Sequence, residues 1–293
     1  MAAAGQVRIG ISGWTSPPWR GVFYAKGLPQ AKELEFAASR FRSIEINGTF
    51  YGLQRPEAFA DWAARTPDDF VFSVKAPRYI THMLKLRNAE VPLANFLASG
   101  LLLLGPKLGP LLWQFPPNFA FHAERIEPFL RALPHDTQEA AVIARGHDAR
   151  LNGRAWMQTD ASRPLWHAFE IRHDSFRSPE FVRLLRRYDV ALVCADTVEW
   201  PRLMDLTAGF VYCRLHGSEQ LYVSGYDDVA LDTWAGRVAA WALGSEPADA
   251  ERIGSLARRR RSRDVFVYFD NDAKVRAPED AAGLVARVGK LLA

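Results

Sequence analysis

The sequence predicts a closed (β/α)8 barrel of the TIM type, and three observations lead there. A short β-rich run followed by a helical pattern recurs eight times along the chain. Strand–helix alternation marks a parallel sheet, and eight such units over 293 residues suit closure into a barrel. The runs also gather polar residues on one face near their C-terminal ends, where barrel enzymes build their sites. The rival is an open doubly wound sheet, but the turn "GISGW" after the first run lacks the Gly-x-Gly-x-x-Gly spacing of a dinucleotide-binding turn. One domain spanning residues 1–293 is expected.

The elements follow in order. Strand 1 is "VRIGISGW" (7–14), then a helical pattern over 31–41. Strand 2, "SIEIN" (43–47), precedes a helix over 56–65 that opens on Pro56, a residue suited to a first helical turn. Strand 3, "FVFSVKAP" (70–77), leads to a helix over 92–102, and strand 4, "GPLLWQFP" (109–116), to one over 123–132. A long Arg/Asn/Gly/Thr-rich stretch around 145–163 then reads as an insertion or lid after strand 4. Strand 5, "HAFEIRH" (167–173), precedes a helix over 179–188 opening on Pro179. Strand 6, "VALVCAD" (190–196), is followed by "TVEWPRLMDLTAG", too short for a full crossover helix. Strand 7, "FVYCRLHG" (210–217), leads to a helix over 231–243. Strand 8, "DVFVYFDND" (264–272), leads to one over 278–292 that opens on Pro278.

Composition bounds the function. The longest apolar run, "LLLLG" at 101–105, is far too short to cross a bilayer, so no membrane partner is expected. The N-terminal "MAAAGQVRIGISGW" has no basic region followed by an apolar core, and Cys194 and Cys213 alone make no disulfide framework. A reduced, cytoplasmic setting is expected, with the two thiols on opposite faces of neighbouring strands. The formal charge of +4 depends on "ARRRRSRD" (257–264): without its five arginines the net is −1. That run is either a solvated helix end or a patch for anionic partners.

Side chains alternate across a strand, and in a barrel one face must meet the helices. If the apolar face is outward, the interior receives Glu45 and Asn47 from strand 2, Ser73 and Lys75 from strand 3, and Leu112 and Gln114 from strand 4. It also receives Glu170 and Arg172 from strand 5, Cys194 and Asp196 from strand 6, Arg214 and His216 from strand 7, and Tyr268 and Asp270 from strand 8, with Ser12 at the end of strand 1. Charges so placed must pair or meet a ligand, because an isolated buried charge is costly. Lys75, Arg172 and Arg214 suggest an anionic substrate, a phosphate or carboxylate. Glu45, Glu170 and Asp196 with His216 are candidates for acid–base catalysis. The bland alternative is an internal salt-bridge network that ties the strands together. Gly217 and the segments "HGSE" and "NDAK" stand where barrels of this type bind phosphate. A divalent metal is a further candidate occupant, without the His-x-His or His-Glu-x-x-His spacing that would argue for one. Trp14, Trp19, Phe23 and Tyr24 after strand 1, Phe50 and Tyr51 after strand 2, and Tyr222 and Tyr226 after strand 7 either stack on a ligand or pack under their loops.

The motifs "ISGW" with "WRGVFY", "EINGTFY", "VKAP", "WQFPP", "FEIRH", "YCRLHG" and "YFDNDA" resemble, in this order, the YecE-like family, also called domain of unknown function 72. They run from residue 10 to about residue 280. The resemblance implies a TIM barrel and no established reaction. Its motif positions fall on Ser12, Gly13, Trp14, Glu45, Asn47, Thr49, Phe50, Tyr51, Lys75, Gln114, Pro116, Glu170, Arg172, His173, Arg214, His216, Gly217, Asn271 and Asp272. Two positions depart from the pattern: Gly48 stands where it has serine, and Asp174-Ser175-Phe176 where it has Ser-Trp after the Arg-His pair. Three functions compete: an enzyme acting on a small anionic, sugar-like compound; a nucleic-acid enzyme or repair-type binder; and a non-catalytic ligand-binding or scaffold protein.

Overall fold

The computed structural model describes residues 3–217, 219–272 and 275–293. Eight parallel strands, β1 (Val7–Ser12), β2 (Ser43–Ile46), β3 (Val71–Lys75), β4 (Leu108–Gln114), β5 (His167–Glu170), β6 (Ala191–Asp196), β7 (Phe210–Leu215) and β8 (Asp264–Phe269), pair in chain order. Closure comes from β8 against β1, with Val7 opposite Val265 and Ile11 opposite Phe269. Around the barrel lie α1 (Glu33–Arg40), α2 (Gly48–Tyr51), α3 (Pro56–Ala64), α4 (Glu90–Ala98), α5 (Ala123–Ala132), α6 (Thr137–Ala144), α7 (Pro179–Arg187), α8 (Asp228–Ala242) and α9 (Ala277–Leu292). Three of them begin at the expected prolines or one residue before.

Two helical details differ from expectation. The pattern over 92–102 stops at Ala98, because Gly100 turns the chain with φ 112° and approaches Pro56 so closely that an added Cβ would lie 2.5 Å from its Cα. And α6 occupies a region with no helix expected; the Asp136 carboxylate caps it, accepting from the N–H groups of Gln138 and Glu139 at 2.8 Å. Residues 145–163 pack along α4, with Asp148 N–H bonded to Asn95 and Trp156 N–H bonded to the Ala98 carbonyl, and Arg150 among them lies over the Tyr79 ring at 5.6 Å, beside the connection after β3.

The outward face of the strands is apolar and packs on the helices. It includes Ile9, Ile11, Ile44, Ile46, Phe72, Val74, Leu111, Trp113 and Phe169, all buried. The interior is layered. At the N-terminal end Val71, Phe210 and Phe266 fill it, with Trp166 stacked on Phe210 at 5.0 Å. One layer up, the Tyr268 and Tyr212 hydroxyls meet Ser43 at 2.6 Å and Ser73 at 2.7 Å. The charged layer lies above them.

Strand β6 corrects the expected parity. Ala191, Val193 and Ala195 line the interior, whereas Leu192 and Cys194 pack against the helices. Both faces of "ALVCA" are apolar, so the strand carries no alternation to read; its small side chains fit the interior beside Tyr212 and Tyr268. Asp196 therefore points outward. Cys194 and Cys213 are register partners on the same outer face, not on opposite faces, and both are buried free thiols.

The β6–β7 connection, residues 197–209, contains no helix. The α8–β8 connection is laid across it instead: Met204 N–H bonds to the Glu251 carbonyl, and the buried Asp205 carboxylate accepts from Ile253 N–H at 3.0 Å and Gly254 N–H at 2.8 Å. The arginine run closes this connection at the N-terminal end of β8. Arg263 is buried and donates to the carbonyls of Gly244 and Arg258, while Arg258 to Arg261 are exposed, with no ion pair among the described residues. No helix among the described residues is long and apolar enough to cross a membrane.

Asp205→Ala leaves two half-buried N–H groups without their acceptor and is expected to cost about 1–3 kcal/mol by urea denaturation; an unchanged midpoint would show that these two bonds contribute nothing to stability.

Candidate functional site

Inward parity puts Arg214 two residues above Tyr212, at the centre of the charged layer. Its Nε and Nη2 bond both oxygens of Glu45 at 3.0 and 2.8 Å. Nη1 reaches Glu170 at 2.7 Å and Nη2 reaches Asp270 at 2.8 Å. One guanidinium thus holds carboxylates from β2, β5 and the residue after β8, and its side chain is fully buried. Glu45 also accepts from the Tyr212 hydroxyl at 2.6 Å and from Ser12 at 3.1 Å. The other Glu170 oxygen takes Arg172 at 2.8 and 3.0 Å. Burial alone would raise the pKa of Glu170 and Asp270; Arg214 beside them holds both well below the ordinary carboxylate range. Arg214 has no donor turned to solvent and cannot hold a ligand's anion, the role its type suggested. It organises the floor.

The mouth lies above this floor. Arg172 stacks on Trp200 at 4.1 Å and donates to the Tyr222 hydroxyl at 3.1 Å. His216 is held edge-on between Trp200 and Tyr222, both at 5.4 Å, with Nδ1 3.3 Å from Asp270 and Nε2 3.7 Å from Glu170. Burial, outweighing these carboxylates, keeps its pKa below the ordinary value, so the ring is neutral at pH 7. Lys75 is 8% exposed and lies over the Phe50 ring at 4.4 Å. Among the described residues its ammonium has no hydrogen-bonded or ion-paired partner, because the nearby carboxylates are engaged by Arg214. Burial, then the charge of Arg214, lower its pKa to about 8. His82 also meets Phe50, edge to face with ring centres 5.1 Å apart. Its pKa falls to about 4, first through burial and then through the positive charges of Arg172, Lys75 and Arg78. Asp272 is the opposite case: burial and the neighbouring Asp270 raise it to about 8, so it is protonated at neutral pH.

Ser12, Glu45, Lys75, Glu170, Arg172, Arg214 and His216 converge as the alternation suggested, and Gln114 is buried at the end of β4, paired in register with Glu170. Trp14 packs on Trp62 at 5.2 Å and, with Asn47, lines a cleft beside β1 and β2. The buried Asn47 Oδ1 has no partner among the described residues. Phe50 lies beneath Lys75, and Tyr51 beside it is exposed.

Other candidates stand elsewhere. Asp196 faces the helices, bonded to Trp234 at 3.2 Å and Arg202 at 3.0 Å. Tyr268 belongs to the layer below. His173 turns away to cap its own turn, with Nδ1 accepting the Ser175 N–H. Asn271 spends its amide on Asp280 and the Ser224 carbonyl, tying α9 to the β7–α8 connection. Gly217 does adopt φ 112°, but its N–H donates to the Tyr226 hydroxyl. Within "HGSE" and "NDAK", Ser218, Ala273 and Lys274 lie outside the described residues. Trp19 and Tyr24 pack into the core with Phe23 instead of standing at the mouth. Among the described residues no group of three His, Cys, Asp or Glu is placed to hold a metal ion.

Sequence reasoning missed His82, Arg78 and Trp200, which sit in connections without strand alternation. Asp270 was legible as inward but not as the third carboxylate on Arg214, nor Tyr222 as a partner of Arg172.

The model of the DUF72 family, a protein family of unknown function, matches residues 8–292. The UPF0759 protein YecE of Escherichia coli K12 is 32% identical over 164 residues, which cover 54% of this chain and 57% of that protein. The UPF0759 protein YunF of Bacillus subtilis is 28% identical over 143 residues, covering 44% and 46%. The match thus spans about half the length of these relatives. A crystal structure of a DUF72 family protein from Thermotoga maritima superposes with a TM-score of 0.72 at 22% identity, covering 97% of this chain and 99% of that one. One from Enterococcus faecalis gives 0.66 at 17% identity, covering 99% of each. These likenesses carry the fold.

Arg214→Met leaves three carboxylates around an apolar side chain and is expected to cost about 3–5 kcal/mol at pH 7. The native protein loses its carboxylate stabilisation as pH falls below the unfolded values near 4, whereas the variant's unpaired carboxylates protonate earlier and relieve their repulsion. The stability gap between the two, measured by urea denaturation, should therefore narrow between pH 7 and pH 4; a constant gap would contradict this role for Arg214.

Proposed function

The chain belongs to the DUF72 family, and from that premise we propose that the barrel mouth is the active site of an enzyme acting on a small anionic molecule. One observation carries this reading: Lys75 is a nearly buried cation with no protein anion in contact among the described residues. A largely desolvated ammonium without a partner among the described residues is costly, and a ligand anion would relieve the cost. Arg172 and Arg78 stand close enough to oppose protonation of His82 together with Lys75, so three cations act on one small volume. The anion is held there, and not on Arg214.

The surrounding groups suit proton transfer. With a pKa of about 8, Lys75 is mostly charged at neutral pH but gives up and takes back its proton far more readily than an ordinary lysine. Neutral His216, beside the Asp270 carboxylate, can donate through Nδ1 or accept, according to tautomer. Phe50, Trp200 and Tyr222 wall the volume and keep its dielectric low, which strengthens each of these interactions.

Two outcomes test the proposal. Adding inorganic phosphate to the protein should raise the His82 pKa above about 4 in an NMR titration, since a bound anion offsets the three cations; an unmoved titration at millimolar phosphate would remove the anion site. Lys75→Met should abolish that response yet stabilise the fold at pH 7 by up to about 3 kcal/mol, because the desolvation penalty disappears. The sign follows from a folded pKa below the unfolded one: above pH 8 the native lysine sheds its proton first, so the stability advantage of the variant shrinks toward pH 10. A Lys75→Met protein that is less stable at pH 7 would refute the unpaired-lysine account.

A further inference from the structure

A second feature of the mouth concerns what the anion is attached to. Beyond Phe50 the chain forms a cleft of about 250 Å³ lined by Tyr51, Arg78, Tyr79, Met83 and Arg150. Tyr51 is 72% exposed and Met83 66%, and both line this one cleft, so their apolar surfaces face the same small volume. Two arginines already lie on the tyrosine faces, Arg78 over Tyr51 at 5.5 Å and Arg150 over Tyr79 at 5.6 Å. The backbone here is also unusual. Tyr79–Met83 is a single π-helical turn, and Lys85, Leu86 and Asn88 follow with positive φ of 50°, 67° and 47°. Irregular turns of this kind and left-handed non-glycine residues cost free energy and concentrate at functional sites. Arg78 joins the two places: it lines the cleft and its charge acts on His82.

We infer that this cleft is a ring-binding subsite, and that the substrate is an anion carrying a flat heteroaromatic ring, the ring lying among Tyr51, Tyr79 and Met83 while the anionic group meets Lys75, Arg172 and Arg78. The inference rests on the anion site proposed above and adds the substrate class to it. The volume is below the ~300–1,000 Å³ of a pocket for a whole drug-sized ligand, which suits one ring whose anionic tail leaves the cleft. Stacking on tyrosine is worth roughly 1–3 kcal/mol per ring, and the arginines add cation–π contact. The competing location is the cleft of Trp14, Trp62 and Asn47, whose amide and hydroxyl groups suit a sugar ring instead.

Calorimetric titration of the intact protein with ribose 5-phosphate, adenosine 5′-monophosphate and adenosine separates these readings. The nucleotide is expected to bind at least ten-fold more tightly than ribose 5-phosphate. Tyr51→Ala, at an exposed position that the fold does not need, should remove that advantage and leave ribose 5-phosphate binding unchanged. Equal affinities for the two phosphates overturn the inference. So does an advantage that survives Tyr51→Ala but is lost in Asn47→Ala, or a Tyr51→Ala effect equal on both ligands. If adenosine binds in a Tyr51-dependent way while phosphate leaves His82 unmoved, the ring subsite stands and the anion site falls. If phosphate moves His82 but the ring adds nothing, the anion site stands alone.

Discussion

One guanidinium sets the character of the barrel's upper half. Arg214 joins Glu45, Glu170 and Asp270, side chains from three different parts of the barrel wall, with its own side chain sealed from water. A buried charge needs anionic partners and hydrogen bonds to be stable, and four of the five N–H groups of Arg214 make contacts of 2.7 to 3.0 Å with three carboxylates. The arrangement fixes the positions of three strand ends relative to one another. It also consumes the carboxylates that would otherwise neutralise Lys75.

The reactive features of the mouth follow from this. Arg214 and Arg172 face three carboxylates, so the nest without Lys75 carries one negative charge in excess; the lysine balances it at a distance and not by contact. Long-range balance is weaker than a hydrogen-bonded pair, and burial dominates: the lysine's pKa falls to about 8. The same low dielectric keeps His82 and His216 neutral and Asp272 protonated. Three ionisable groups thus rest in their uncharged forms around a floor that is fully ionic, while Lys75 keeps its charge but gives up its proton more readily than an ordinary lysine. The wall is unequal as well. On the β6–β7 side, where no crossover helix forms, the strap from the α8–β8 connection supports the chain from outside, leaving Trp200 free to cover His216 and Arg172 from above.

Legibility in the sequence tracked alternation. Where polar and apolar residues alternate, as in "SIEIN", "FVFSVK" and "FVYCRLH", the inward face could be assigned residue by residue, and Glu45, Lys75, Arg214 and His216 are where alternation puts them. In "ALVCAD" both faces are apolar up to the terminal aspartate, so nothing in the string distinguishes them. The interior admits alanine and valine beside two tyrosines, and that packing sends Asp196 to Trp234 and brings the two cysteines onto one face. Loop residues had no period at all: His82 and Arg78 reach the site through a π-helical turn, and Trp200 through a connection with no regular structure.

The sequence by itself determined the barrel, its strand order and the residue types of its polar floor, because the two-residue period of a strand is a local property that survives in the string. Which cation is spent and which is free is not local. Arg214 and Lys75 read alike as inward cations, one on β7 and one on β3; only the closed barrel, by bringing residues 45, 170 and 270 to one guanidinium and burying the lysine on an aromatic ring, made the first a structural bolt and left the second without an ion-paired partner among the described residues.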